Sequence, residues 1–363
     1  MNKNFELTLL SEGQIWGNNS EPQLEVISKY GTKAAITDLC ILTGSYLRKD
    51  TIDEDRSLTG RTSWFWTRSH DGDNDVRVVN HFGNRATSYR YKRDNAVRPV
   101  LQSSVFFSQI SPNRVSGYNG TEEVEFGKYP QNAADSIMQN ILELEYKRGM
   151  NKTGRSYTFD SVKYDDYDTG FKPVTYEEYE YQGKEYIRIK VNSSFIFKFM
   201  LSNGVEYRNG DYVWVEVSPV KWLIDDRKGL LISKYGLVSG IRFLDRNHNY
   251  YGDFNKTEMY EYLNKYMIKD LFQNVNCIQK GSDNNIEESL NILGLGSCKG
   301  ISQEILNLIV KDRINQVITD SKLYDYMDYK LLKEQINKIL EAGKSISLHV
   351  NKISNKVKQL NSK

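Results

Sequence analysis

Residues 63–101 read SWFWTRSHDGDNDVRVVNHFGNRATSYRYKRDNAVRPVL, and this stretch carries the densest secondary-structure signal of the chain. Runs rich in Trp, Val, Thr and Tyr alternate at short intervals with clusters of Asp, Asn and Gly. Aromatic and β-branched residues favour strands, whereas the small polar clusters favour tight turns. The pattern therefore predicts a meander of short antiparallel strands.

A second block of β-prone segments follows, with EEVEFGKYPQ (122–131), TYEEYEYQGKEYIRIKV (175–191) and DYVWVEVSPVKWLIDD (211–226). Apolar residues recur at helical spacing over Ala34–Tyr46, Ala133–Arg148 and Thr257–Phe272, which predicts a helix in each range. The fold class that we expect is α+β, with twisted antiparallel sheets and flanking helices. The sequence leaves open whether the two β-rich blocks form one domain or two.

The composition changes after residue 275. Asn, Ser and Gly dominate up to Gly300, and amphipathic spacing returns over residues 301–363. The apolar stripe there comprises Leu331, Leu332, Ile336, Ile339 and Leu340. We therefore expect a helical C-terminal region. The predicted organisation is a β-rich module at 1–120, a second β-rich half at 121–275, a linker at 276–300 and the helical region at 301–363.

The overall charge excludes some classes of partner. The chain of 363 residues carries a formal net charge of +2, so no strong attraction to nucleic acid or to anionic membrane is built into the whole molecule. Residues 321–363 differ, with nine Lys against four acidic residues. A solvated helix face explains this surplus, and nucleic-acid binding through the Lys-rich helices is the alternative.

The cysteine pattern and the lack of long apolar runs predict a reducing compartment, the cytoplasm. Cys40, Cys277 and Cys298 are odd in number and form no CxxC pair, so we expect no disulfide framework, as in a reducing compartment. The first residues contain no apolar stretch of signal-peptide length, and no apolar run reaches 18 residues. We expect a cytoplasmic protein that has no contact with membrane.

No template for catalysis or metal binding fits. HDGDND (70–75) and DRNHNYYGDFN (245–255) have carboxylates at a calcium-like spacing but lack the Gly and Glu that an EF-hand requires. The histidines form no HxxxH or HExxH pair, and no P-loop, GxSxG or strand-linked GxGxxG occurs. We expect no metal, no cofactor and no enzyme activity. An enzyme with an unrecognised Asp/His acid–base site is the alternative.

Several motifs resemble one family. SWFWTRS, VRVVNHFGN and RYKRDNAVRPVL, together with FGKYPQ and PVKW, resemble signatures of a bacterial domain-of-unknown-function family. That family is related to the formylglycine-generating-enzyme branch of the C-type-lectin fold. The two halves stand in reversed order here, which indicates either a permuted module or two incomplete copies. The scattered cysteines do not match the thiolate pair that oxidase chemistry of this branch needs.

The resemblance implies C-type-lectin-like sheets whose loops and aromatic side chains form a ligand surface at one end. The residues that it assigns to this surface are Trp64, Trp66, Arg68, His70, Tyr89, Tyr91 and Arg98. Alternatively, Trp64 and Trp66 are core residues on one strand face, and Arg98 caps carbonyl groups or pairs with a carboxylate.

The implied function is non-enzymatic binding of a protein or a glycan. A specific version is that a phage or mobile element encodes the chain to inhibit a host defence protein.

Overall fold

The computed structural model describes residues 6–46, 61–72, 75–102, 114–160, 168–191 and 199–273, together with Ile336, Ile339 and Leu340. The chain divides into two compact units, Met1–Val275 and Asn276–Lys363. Within the first unit, strands from both β-rich blocks share one sheet.

The first unit is built mainly from antiparallel strands. The bounds within the described residues are β1 Glu6–Thr8, β2 Phe65–Asp71, β3 Asp75–Val79, β4 Arg85–Tyr89, β5 Val100–Gln102, β6 Val115–Ser116, β7 Glu122–Ala133, β8 Lys152–Asp160, β9 Pro173–Tyr181, β10 Lys184–Lys190, β11 Phe199–Met200, β12 Glu206–Tyr207, β13 Tyr212–Asp225 and β14 Leu230–Ser233. All pairings between these strands are antiparallel. The predicted class, antiparallel sheets with flanking helices, is confirmed at this level.

The helices of the described residues are short. Their bounds are α1 Glu12–Trp16, α2 Glu25–Tyr30, α3 Asp38–Leu42, α4 Ser136–Lys147, α5 Glu258–Tyr262 and α6 Ile268–Phe272, with a π-helical turn at Leu263–Met267 between α5 and α6. Helices were predicted where α4 and the α5–α6 segment lie. No helix in the described residues is long and apolar enough to cross a membrane.

The helix predicted over Ala34–Tyr46 is shorter than expected. Ala35 and Ile36 pair with other segments as isolated β-bridges, and the Thr37 hydroxyl caps the helix by accepting from the Cys40 N–H. The linker and the C-terminal helices predicted after residue 273, like the Lys-rich segment 321–363, lie outside the described residues except at Ile336, Ile339 and Leu340, which are helical.

Strand β13 is the centre of the large sheet. One of its edges pairs with β7, while the other pairs first with β10 and then with β14. The strand order is β1-β5-β14-β13-β10-β9-β8, with β6 and β7 on the opposite side of β13. Register shifts flank Pro219, which lacks an N–H and so favours a bulge. Strand β13 thereby joins two arms of the sheet: β14, β5 and β1 form one arm, and β10, β9 and β8 form the other.

Both terminal strands are covered by side chains from the α5–α6 segment. The Asn264 side chain accepts from the Leu7 N–H at 2.9 Å and donates to the Leu7 carbonyl at 2.8 Å. Gln273 does the same with Ser156, at 3.2 and 2.9 Å. These amides satisfy strand-edge groups that would otherwise be open to pairing with another chain.

Strands β2, β3 and β4 form a separate three-stranded sheet, as the turn-separated pattern predicts. Val76 and Val78 of β3 are buried, and Trp66 of β2 packs against Phe243 with ring centroids 5.6 Å apart. Phe243 belongs to the segment after β14, so this contact joins the small sheet to the second β-rich block. The core under the small sheet positions the residues described next.

Candidate functional site

The small sheet brings four of the predicted residues to one of its ends. Its register pairs Asp71 with Asp75 and Asp75 with Tyr89, so the end of β2 and the end of β4 lie two strands apart. Two strand spacings amount to about 10 Å. His70 of β2, which pairs through Val76 with Ser88, therefore lies about 10 Å from the β4 backbone beside Tyr89, whereas Arg68 lies two residues further along β2 and pairs with Glu21 at 3.7 Å.

Tyr89 and Tyr91 form a tyrosine stack. Their rings are nearly parallel, at 5°, with centroids 5.3 Å apart. The Arg246 guanidinium lies 5.2 Å from the Tyr91 ring centroid, and the Lys92 ammonium lies 6.0 Å from that of Tyr89. Tyr89 is 49% exposed. The result is a flat aromatic surface with a cation on each ring.

The loop 244–253 carries Arg246, and hydrogen bonds from Arg90 hold this loop in place. The buried Arg90 side chain donates from Nε to the Asp245 carbonyl at 3.2 Å and from Nη2 to the Arg246 carbonyl at 2.6 Å. The Arg90 carbonyl accepts from the Leu244 N–H at 3.0 Å. Arg246 is thus placed over its tyrosine by backbone bonds and not by its own side chain alone.

Tyr250 connects the same loop to β2. Its ring meets the edge of His70 at a centroid distance of 6.1 Å and packs on Phe243 at 4.8 Å. Its hydroxyl donates to the Arg68 carbonyl. Because Tyr250 is buried, burial raises the pKa of its hydroxyl, which remains a neutral donor. Loop and strand therefore form one rigid edge.

The same loop also lines a pocket of about 530 Å³, beside the exposed Tyr251. The Arg242 guanidinium donates to Glu258 at 2.6 Å and to Asp245 at 2.9 Å. Partial burial raises the pKa of Asp245, but the Asn247 N–H and the Arg242 charge outweigh it, so that pKa lies below its usual value. Asp245 is therefore ionised and occupied by its partners.

The histidine of this pocket is exposed. His248 Nδ1 lies 3.4 Å from the Asp245 carboxylate, and 74% of its side chain is open to solvent. An enzyme with an Asp/His acid–base site would need a closed pocket. The pKa values of its carboxylates would be shifted so that they can exchange protons with a substrate. This pocket is open, and its main carboxylate is held in the charged form. The geometry suits polar contacts better than proton transfer.

Three of the predicted surface residues lie elsewhere. Trp66 and Arg98 are 0% and 1% exposed, so the expectation that they line an open surface is wrong. Both faces of β2 are covered at Trp66, and Arg98 donates from Nε to the Ser233 carbonyl at 2.8 Å, as in the capping alternative. Half-buried Trp64 lies at the opposite end of the small sheet, where its Nε1 donates to His81 at 3.0 Å.

The loop 244–253 lies outside the predicted site residues. Its sequence resembles a calcium loop only in the spacing of its carboxylates, although two adjacent tyrosines, Tyr250 and Tyr251, are a signal of a contact surface. We call the resulting set the aromatic surface, and it comprises Arg68, His70, Tyr89, Tyr91, Arg246 and Tyr251. Among the described residues, no group of three or more His, Cys, Asp or Glu side chains is placed to hold a metal ion.

Comparison of the chain with protein-family models, with curated proteins and with solved structures found no match. The resemblance to the lectin-like family therefore stays a prediction.

Proposed function

We propose that this chain is a non-enzymatic binding protein and that the aromatic surface contacts its partner. The observation that supports this most is the tyrosine stack, with Arg246 fixed over Tyr91 by the buried Arg90. Tyrosine and arginine are enriched among the residues that carry most of the binding energy in protein interfaces. Because these side chains are already ordered, little conformational entropy is lost on binding.

A protein is the proposed partner, and a glycan is the alternative, since exposed tyrosine rings also pack against sugars. The finer proposals rest on the motif resemblance alone. They are that the sheets are C-type-lectin-like, and that a phage or mobile element encodes the chain to inhibit a host defence protein in the cytoplasm.

The test is recovery of a partner by the immobilised full chain from bacterial lysate, together with a glycan array. Tyr89→Ala is the test variant. Tyr212→Ala is the matched control, because Tyr212 is 50% exposed and lies 3.7 Å from the Arg188 guanidinium on the large sheet. Circular dichroism checks that both variants fold.

We expect the wild type and Tyr212→Ala to retain one stoichiometric protein that Tyr89→Ala loses. A glycan that follows the same pattern would identify the alternative ligand. Recovery of no stoichiometric ligand, or equal recovery by Tyr89→Ala, would contradict the proposal.

A further inference from the structure

The buried Arg98 side chain has an unusual set of contacts. Its Nε donates to Ser233, and its guanidinium carbon lies 5.4 Å from the Phe65 ring centroid. Its two terminal nitrogens, Nη1 and Nη2, are buried and have no hydrogen-bond acceptor among the described residues. The end of the guanidinium fork therefore has no hydrogen-bond acceptor among the described residues.

A buried guanidinium without hydrogen-bond acceptors destabilises the folded state. Burial lowers the pKa of Arg98 to about 10, so the side chain is still charged at neutral pH. A buried cation that lacks acceptors loses its hydration without compensation. The charges that influence Arg98 include no carboxylate of the described residues.

The neighbouring groups do not supply the missing acceptor. Lys234 and Glu123 form a bidentate ion pair, with the ammonium 2.8 and 2.9 Å from the two carboxylate oxygens. The Tyr30 hydroxyl is close enough for electrostatic contact with Arg98 and Lys234, although burial has the larger effect and raises its pKa. The cluster therefore has one net positive charge, on Arg98.

We propose that the Arg98 fork is the base of a binding site for a small oxyanion, the phosphate or carboxylate group of a ligand. Two parallel N–H donors from Nη1 and Nη2 match the two oxygens of either group. Lys234, which is more exposed than Arg98, lies on the side of the cluster nearer to solvent. This site is separate from the aromatic surface and does not depend on the function proposed for it.

Arg61 is a buried arginine of the same protein whose charge is compensated by a carboxylate. It is equally buried and also has two nitrogens without partners, Nε and Nη2. Its Nη1, however, pairs with the Asp38 carboxylate at 2.9 Å. Because its charge is already compensated, Arg61 has no need of an external anion.

The test is equilibrium dialysis of the full-length wild type with labelled inorganic phosphate and, separately, with labelled acetate. Sodium chloride keeps the ionic strength constant in both. We expect saturable binding of one anion per chain, accompanied by an unfolding midpoint that rises with the logarithm of the anion concentration once this exceeds the dissociation constant. Binding of phosphate alone identifies a phosphate-bearing ligand, and binding of acetate alone identifies a carboxylate.

Arg98→Lys keeps the charge but removes the fork, and we expect it to weaken the anion at least about tenfold. Lys128→Met is the control, because Lys128 pairs with Glu185 on the sheet surface, and it should bind as the wild type does. If Arg98→Lys does not fold, the stoichiometry of the wild type decides. Absence of saturable binding of both anions, an adventitious ion effect shared with chloride, or unchanged affinity in folded Arg98→Lys would overturn the proposal.

Discussion

The Asp270 carboxylate accepts a hydrogen bond from the Thr158 backbone N–H at 2.7 Å, so a helix side chain is the partner of an edge-strand amide. Thr158 belongs to β8, the last strand of one arm of the large sheet. Asp270 is 7% exposed, and burial raises the pKa of its carboxyl from 3.8 to about 7, more than the Thr158 N–H lowers it. The ionisation of one side chain is thereby coupled to the closure of a sheet edge.

This coupling predicts a pH dependence of stability. Between pH 3.8 and about 7 the folded state binds more protons at Asp270 than the unfolded state does. The contribution of Asp270 to the free energy of unfolding is therefore greatest below pH 3.8 and falls as the pH rises to about 7. Asp270→Asn keeps an oxygen for the Thr158 N–H and removes this dependence.

The measurement is urea unfolding of the wild type and Asp270→Asn at several pH values. We expect the variant to gain stability relative to the wild type as the pH rises from 5 to 8. Asp253→Asn, at an exposed surface ion pair with Lys256, should show no such trend. A stability difference for Asp270→Asn that does not change with pH would refute the coupling.

Loss of the Asn264 amide should open the edge of β1. Asn264→Leu removes both bonds to Leu7, and we expect the free energy of unfolding to fall by about 1–3 kcal/mol. The Leu7 amide should also exchange its hydrogen faster. Asn140→Leu is the control, since its side chain bonds only the Ser136 carbonyl of its own helix. Equal effects of the two variants would show that the edge contact is unimportant.

Arg90 should determine the order of the loop that carries Arg246. Arg90→Lys keeps the charge but cannot reproduce the two bonds to the Asp245 and Arg246 carbonyls. We expect faster hydrogen exchange at residues 245–249, and weaker binding of any partner that depends on Tyr91. Arg85→Lys, at an exposed position on the preceding strand β4, should leave both unchanged. Unaltered exchange in Arg90→Lys would contradict this role.

Trp66 and Trp64 should differ in their effects on stability. Trp66 is completely buried against Phe243, so Trp66→Ala is expected to cost about 3–5 kcal/mol of unfolding free energy. Trp66→Phe should cost much less, because its indole N–H has no partner in the described structure. Trp64→Ala, at a half-buried position, should be milder than Trp66→Ala. Equal losses for the two alanine variants in urea unfolding would argue against the core assignment of Trp66.

Local chemistry explains which elements could be predicted from the sequence. Helix α4 has apolar residues at helical spacing, and Asp135 caps it by accepting from the Ile137 and Met138 N–H groups. The strands of the small sheet are separated by turn residues that lie beside them in sequence. Both signals act over a few residues, so one sequence is enough to find them.

The rest depends on contacts between distant residues. Arg90 binds the loop that carries Arg246, more than 150 residues further along the chain, and no local pattern encodes that pairing. The prediction for Trp66 failed for another reason. Assigning Trp66 to a ligand surface assumes that one face of its strand meets solvent. Phe65, Trp66 and Thr67 are all buried, so the alternation carries no information there.

The double coverage of β1 and β8 by one late helical segment has a consequence for synthesis on the ribosome. Strand β1 is synthesised before its cover, because Asn264 is made more than 250 residues after Leu7. At the roughly 5–20 residues per second of protein synthesis, this edge stays uncovered for more than about ten seconds. Nascent chains that end before Glu258 have uncovered edges at β1 and β8. We expect these incomplete chains either to be bound by chaperones or to aggregate.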